Sequence, residues 1–286
     1  MSKEQAIRGK LRFLSSNPGK RAVERFWLLY TPVWGTICGI IMVGGFANHW
    51  TDLPLMILGV GLAAGALIPP LVFRPAEERG KPFWQLTAFK YGFTVFGFAF
   101  GLNYTQTPFF WDVLHMHYGF GAEITIRNNP VFLYFLSIPY FATYAVLCTG
   151  TYRFVKQGLA GRPRMIQWGA VAIAPFFVAG METLMNANPW TTSLFCYDDM
   201  VLMSWFGTFA YGTAFCLALP VWITIDEKPQ VNTKLFSIVI WVLAALYADL
   251  ILLDLYRYHI APHVTTVVEN ANGLRDFATS CLQAIP

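Results

Sequence analysis

The sequence is short of charge. Asp, Glu, Lys and Arg make up 13% of its 286 residues, where a soluble domain carries about 25%. That shortage excludes an ordinary water-soluble globule. Histidine is scarce as well. His49, His115, His117, His259 and His263 are the whole set, which argues against the repeated histidine boxes of a non-haem iron desaturase or hydroxylase. There is no CxxC pair, no HExxH, no Walker loop and no GxGxxG ahead of a helix, so the standard metal and nucleotide signatures are missing. No low-complexity linker or internal repeat divides the chain. The five cysteines give little. Cys38, Cys148 and Cys216 fall within apolar runs, and Cys196 and Cys281 fall on one predicted face, where a disulfide between them is open.

What the chain has is apolar surface. Hydrophobic residues make up 56% and aromatics 17%. Several runs exceed the ~20 residues that a helix needs to cross a ~30 Å hydrocarbon layer. The expected fold is an all-α polytopic bundle of about seven transmembrane helices. The spans read as Phe26–Phe46, Leu53–Phe73, Phe83–Tyr104, Val131–Tyr152, Ile166–Met185, Val201–Ile225 and Leu235–Tyr256. The basic residues set the orientation. One side holds Lys3, Arg8, Lys10, Arg12, Lys20, Arg21, Arg25, Arg74, Arg79, Lys81, Arg153, Lys156, Arg162, Arg164, Lys228 and Lys234. The other side holds only Arg127, Arg257 and Arg275. By the positive-inside rule the N-terminus is cytoplasmic and the C-terminus lies outside. Residues 1–25 form a basic arm whose start suits an interfacial helix, 26–264 form one transmembrane domain, and 265–286 form an outer tail. The net charge of +4 is dispersed over short loops and is not a nucleic-acid signal. The chain is an integral multi-pass protein of the endoplasmic reticulum if eukaryotic and of the inner membrane if bacterial. Nothing in it speaks to oligomeric state.

Glu182 interrupts the apolar stretch Ile166–Met185. A charge inside a span costs about 2.5–3.5 kcal/mol even on the lenient insertion scale, so such a residue usually faces a cavity or a partner. Asp199, Asp249 and Asp254 are similarly out of place, and with the histidines they gather toward the outer face. Glu77, Glu78, Asp226 and Glu227 read as solvated loop acids. The outer segment QTPFFWDVLHMHYGFGAEITIRNNP reads as an interfacial or re-entrant cap. Within it Asp112, His115 and His117 form D-x-x-H-x-H, a spacing open to a metal but more ordinary as interfacial hydrogen bonding. Asp254 and Arg257 are three apart and share a face on a helix, a pairing that would keep Asp254 ionised.

The order of motifs is informative. SNPGKR leads into ERFWLLYTPVW (Ser16–Trp34). LNYTQTPFF (Leu102–Phe110) and IRNNP (Ile126–Pro130) follow, then AGMET (Ala179–Thr183). DDM (Asp198–Met200) opens a span that ends PVWITIDE (Pro220–Glu227). LLDLYRYHIAPHV (Leu252–Val264) and a terminal CLQ (Cys281–Gln283) close the series. In this order and spacing the chain resembles the cycloeucalenol cycloisomerase, or cyclopropyl sterol isomerase, family of plant sterol enzymes, over roughly Ser16 to Gln283. Departures from the plant pattern are Ile126-Arg127 ahead of the Asn pair, Pro108 in place of a histidine, and a longer loop between Glu182 and Asp199.

The resemblance implies an isomerase that opens the 9β,19-cyclopropane ring of a sterol to give a Δ8 sterol, without metal or redox cofactor. The partners it implies are a sterol and the lipid bilayer. The chemistry asks for a general acid and a group that takes a proton back. A carboxyl group withdrawn from water holds its proton to higher pH and can serve as that acid. Glu182, with the more apolar neighbours, is the expected acid. Asp199, which aligns with the family pattern, and Asp254 complete the expected catalytic set. Asn103 and Asn128 are expected orienters of the sterol hydroxyl, and Tyr104, Trp205 and Tyr211 aromatic faces for a cation. Arg257 completes the expected binding set. An isomerase of another sterol or terpenoid, and a non-catalytic sterol carrier, are the alternatives.

Overall fold

Asn17 starts the first helix. Its side chain accepts from the amides of Gly19 and Lys20, and Pro18 follows at the position where a missing N–H costs nothing. A computed structural model describes residues 12–264, so residues 1–11 and 265–286, with Arg275 and Cys281, lie outside the described residues. Seven long helices follow in order: α1 (Pro18–Val43), α2 (Asp52–Val72), α3 (Thr87–Asp112), α4 (Val131–Gly158), α5 (Arg164–Asn186), α6 (Met200–Thr224) and α7 (Leu235–Val264). All but α3 are long and apolar enough to cross a membrane. α3 is as long as α1, but Lys90, Asn103, Gln106 and Asp112 lower its hydropathy. It tolerates them because it is wedged between α4 and α7. The chain is a helical membrane protein.

α4 is the central post. It packs against α1, α2, α3, α5 and α6, and most of its span is buried. Its fit to α2 is close: a Cβ on Gly59 would come within 2.7 Å of the Phe132 carbonyl. Only glycine allows that approach. α6 and α7 each contain a π-turn, at Met203–Gly207 and Tyr256–Ile260. The two turns face each other, with the rings of Phe206 and Tyr256 6.2 Å apart.

The segment between α3 and α4, expected as an interfacial or re-entrant cap, has local structure of its own. It forms strands. β1 (Met116–Tyr118) pairs antiparallel with β4 (Phe195–Tyr197), so the α3–α4 and α5–α6 loops are stitched together. β2 (Thr125–Ile126) and β3 (Asn129–Pro130) form a hairpin. Its two turn residues, Arg127 and Asn128, both have positive φ, as a two-residue hairpin turn requires. Strands of two or three residues are too brief for their periodicity to be read in sequence. Cys196, in β4, is disulfide-bonded; the expected partner Cys281 lies outside the described residues.

The loop acids at the opposite end require the larger correction. Glu77 is exposed, but Glu78 and Asp226 are buried and Glu227 is partly buried. Two of the basic residues that set the orientation, Lys20 and Arg153, are buried, and so is Lys90 within α3. They pair with the acids. Arg153 donates to Glu24 at 2.6 Å and to Glu227 at 2.5 Å, and Lys20 donates to Glu227 at 2.8 Å. Lys90 forms an ion pair with Asp226, and Thr87 joins Asp226 to Glu78. Burial alone would raise the Glu227 pKa, but Arg153 and Lys20 bring it below the ordinary value. This cluster ties α1, α3, α4 and the α6–α7 loop at the basic end. A buried charge survives only with a partner, and pairing across helices cannot be seen along one chain.

The basic split sets a test of sidedness. Single cysteines at Arg162 and Asn188, in a background lacking Cys38, Cys148 and Cys216, should react with an impermeant thiol reagent from opposite faces of sealed vesicles. Reaction of both from one face would end the seven-span topology.

Candidate active site

α1, α4 and α5 enclose a cavity of about 410 Å³ toward the stranded end. That is within the ~300–1,000 Å³ of small-molecule sites. Its walls are mostly aromatic. Trp34 packs on Tyr140 at 4.1 Å between ring centres, while Phe141 and Tyr144 meet Phe215 at 5.8 and 5.4 Å. Tyr211 stacks on Phe215. Tyr118 and Phe195, from the paired strands, close the outer end. Burial pushes the phenols of Tyr118 and Tyr197 above their ordinary pKa, so both stay neutral.

Glu182 lines this cavity from α5, one turn before the helix ends. Asn186, four residues on, donates to its Oε1 at 2.8 Å. Its Oε2 is buried and has no hydrogen-bond partner among the described residues. No other Asp or Glu among the described residues lines the cavity. The i, i+4 spacing of Glu182 and Asn186 was legible as one helical face, but the sequence reading passed over Asn186.

Asn103 also lines the cavity, though not as a free hydroxyl-binding group. Its Nδ2 donates to the Ala99 carbonyl and to Ser137 Oγ at 2.7 and 2.8 Å, and its Oδ1 accepts from Asn129 Nδ2 at 2.8 Å. It joins α3, α4 and the hairpin. Asn129 is the buried member of the Asn pair, while Asn128, expected as an orienter, is exposed in the turn. Hairpin geometry decides this, since the turn residues must point out. Tyr211 stands in the cavity wall as a cation-facing candidate.

The other expected residues lie elsewhere. Asp199 is the N-cap of α6 and accepts from the Leu202 amide at 2.8 Å. It is not in the cavity wall. Asp254 is exposed on α7. Its expected pairing with Arg257 does not form, because the π-turn at Tyr256–Ile260 breaks the three-residue register. Arg257 forms an ion pair with Asp112 of α3 instead. Tyr104 is half exposed beneath the Arg127 guanidinium, 4.8 Å from its ring centre. Trp205 is half exposed in the α6 π-turn. Asp249, buried between α7 and α3, accepts from Thr105 and Gln106. Among the described residues no group of three His, Cys, Asp or Glu is placed to hold a metal.

Fold and cavity together define a class: a polytopic helical membrane protein that holds one carboxyl group against an aromatic, apolar chamber. No family model matches the chain, and no solved structure matches it. Among curated proteins it is similar to the cycloeucalenol cycloisomerase of Arabidopsis thaliana. The two are 28% identical over 268 residues, which cover 92% of this chain and 94% of the relative. The likeness runs along nearly the whole of both chains.

Proposed function

We propose that this protein is a membrane sterol isomerase that opens the 9β,19-cyclopropane ring of a cyclopropyl sterol to give a Δ8 sterol. The observation that carries the reading is Glu182, with an unpartnered oxygen in an aromatic cavity that would fit a polycyclic lipid. The similarity to cycloeucalenol cycloisomerase supports the substrate class.

The reaction is redox-neutral. The Glu182 carboxyl gives its proton to the cyclopropane methylene carbon. The bond from that carbon to the ring junction breaks, and its electron pair forms the new C–H bond of an angular methyl group. The junction carbon is left cationic. Loss of the neighbouring ring proton to the Glu182 carboxylate forms the double bond and restores the acid. One carboxyl group serves both steps, since Asp199 and Asp254 stand outside the cavity wall. The ring faces of Tyr211, Phe215 and Phe141 stabilise the cation by their negative quadrupoles. The apolar walls keep water from capturing it.

Purified protein in lipid nanodiscs, passed through gel filtration in chelator, should convert a cyclopropyl sterol to a Δ8 isomer. The isomers have equal mass, so gas chromatography with fragment analysis reads the product. In deuterium oxide, one deuterium should appear in the new methyl group. Sterol binding without product would make the protein a carrier. Activity lost in chelator and restored by iron or zinc would overturn the mechanism.

A further inference from the structure

The cavity is open on one side. α1 and α5 form its two edges and α4 its floor. On those edges Gly39, Val43 and Met185 are exposed at the bundle surface. They sit in helices apolar enough to cross a bilayer, so the mouth faces hydrocarbon rather than water. Trp190, also in the wall, is 75% exposed just beyond α5. Tryptophan favours that interfacial level.

Two glycines make the gap. Gly35 and Gly39 share one stripe of α1, and both line the cavity. A Cβ added at either would meet nothing within 4 Å. They differ from Gly59 and Gly212, where an added Cβ would come within 2.7 and 2.2 Å of a neighbour. Those two allow helix contact, whereas Gly35 and Gly39 keep a space open. A second observation points to a ligand. Tyr144, in the cavity wall, is 2% exposed, and its hydroxyl has no hydrogen-bond partner among the described residues. A buried hydroxyl left unpaired is costly, so the chamber suits an apolar molecule that brings a hydrogen-bonding head.

We propose that the gap between α1 and α5 is a lateral portal. A hydroxylated polycyclic lipid enters the cavity sideways from the bilayer, and its flexible apolar tail stays between the helices, against lipid. The ligand class rests on the isomerase reading above; the route does not. The protein thus reads the ring system and leaves the tail unread. Sterols that differ in tail length should enter alike.

The test uses the full chain in vesicles that contain a fluorescent polyene sterol, with energy transfer from tryptophan reporting uptake. Gly35→Phe with Gly39→Phe fills the gap. Gly61→Phe and Gly169→Phe are the controls, since an added Cβ there also meets nothing within 4 Å and neither residue lines the cavity. Uptake by the filled variant should slow at least tenfold, with both controls at the wild-type rate and melting unchanged. Gly39→Leu alone, a milder change, should slow it less. Wild-type uptake by the filled variant, or equal slowing in the controls, overturns the portal. No uptake by the wild type overturns the portal and the isomerase together. Uptake by the wild type without Δ8 product sinks the isomerase alone and leaves the portal standing.

Discussion

Glu182→Gln should leave a protein that inserts, folds and binds sterol, yet turns it over at under about a hundredth of the wild-type rate. Gln keeps the size of the side chain and can still bond Asn186, the neighbour whose amide meets Oε1 at 2.8 Å. What it removes is the transferable proton. General acid–base catalysis is worth about 10²–10⁴-fold, and protonating carbon in a strained ring demands the upper part of that range. Among the described residues no second carboxyl group in the cavity wall stands ready to substitute. Asp199→Asn is the contrasting variant. Its carboxylate caps α6, and Asn caps nearly as well, so most of the activity should remain. Turnover and sterol binding, measured on the same nanodisc preparation, separate chemistry from folding. A well-folded Glu182→Gln that keeps more than about a tenth of the rate would remove Glu182 from the role of acid.

Arg153→Met should be the most damaging substitution far from the cavity. The guanidinium touches Glu24, Glu227 and the Phe13 carbonyl, and Glu24 is fully buried. Removing one partner of a buried ion pair leaves the other charge uncompensated, at a cost of about 3–5 kcal/mol. Unfolding in detergent, followed by tryptophan fluorescence against denaturant, reads the loss. Adding Glu24→Gln to Arg153→Met should recover part of it, because the stranded charge is gone. If Arg153→Met unfolds at the wild-type denaturant concentration, the cluster does not bind the helices together.

The helices were legible because a span must be apolar for some twenty residues, and that signal is carried by consecutive positions. Six of the seven were readable for the same reason, and α3 is the less apolar exception. Glu182 was legible too, as a lone acid in an apolar run. The remaining site residues depend on where helix faces meet. Asp199 and Glu182 are neighbours in the motif order, yet one closes a helix and the other faces the chamber. Asp254 and Arg257 share a face only on an uninterrupted α-helix, and the π-turn at Tyr256 interrupts it. Asn129 was hidden behind Asn128, because only the hairpin turn decides which of the two points inward. Lys20, Glu24 and Arg153 were hidden most thoroughly. In sequence they are indistinguishable from loop and anchor charges, and their ion-pair partners lie 74 to 207 residues away.

The cluster at the basic end also has a thermal consequence. Hydration of charged groups becomes less favourable as temperature rises, so the cost of keeping ions out of water falls on warming. The ties among Lys20, Glu24, Arg153 and Glu227 therefore grip relatively better in a hot membrane than in a cold one. The chamber end has fewer ion pairs among its described residues, Arg257 with Asp112 and His117 with Asp198, and relies more on paired strands, aromatic contacts and neutral hydrogen bonds, so it gains less such help. Heat should loosen the molecule from the chamber downward, and the charged end should be the last to part.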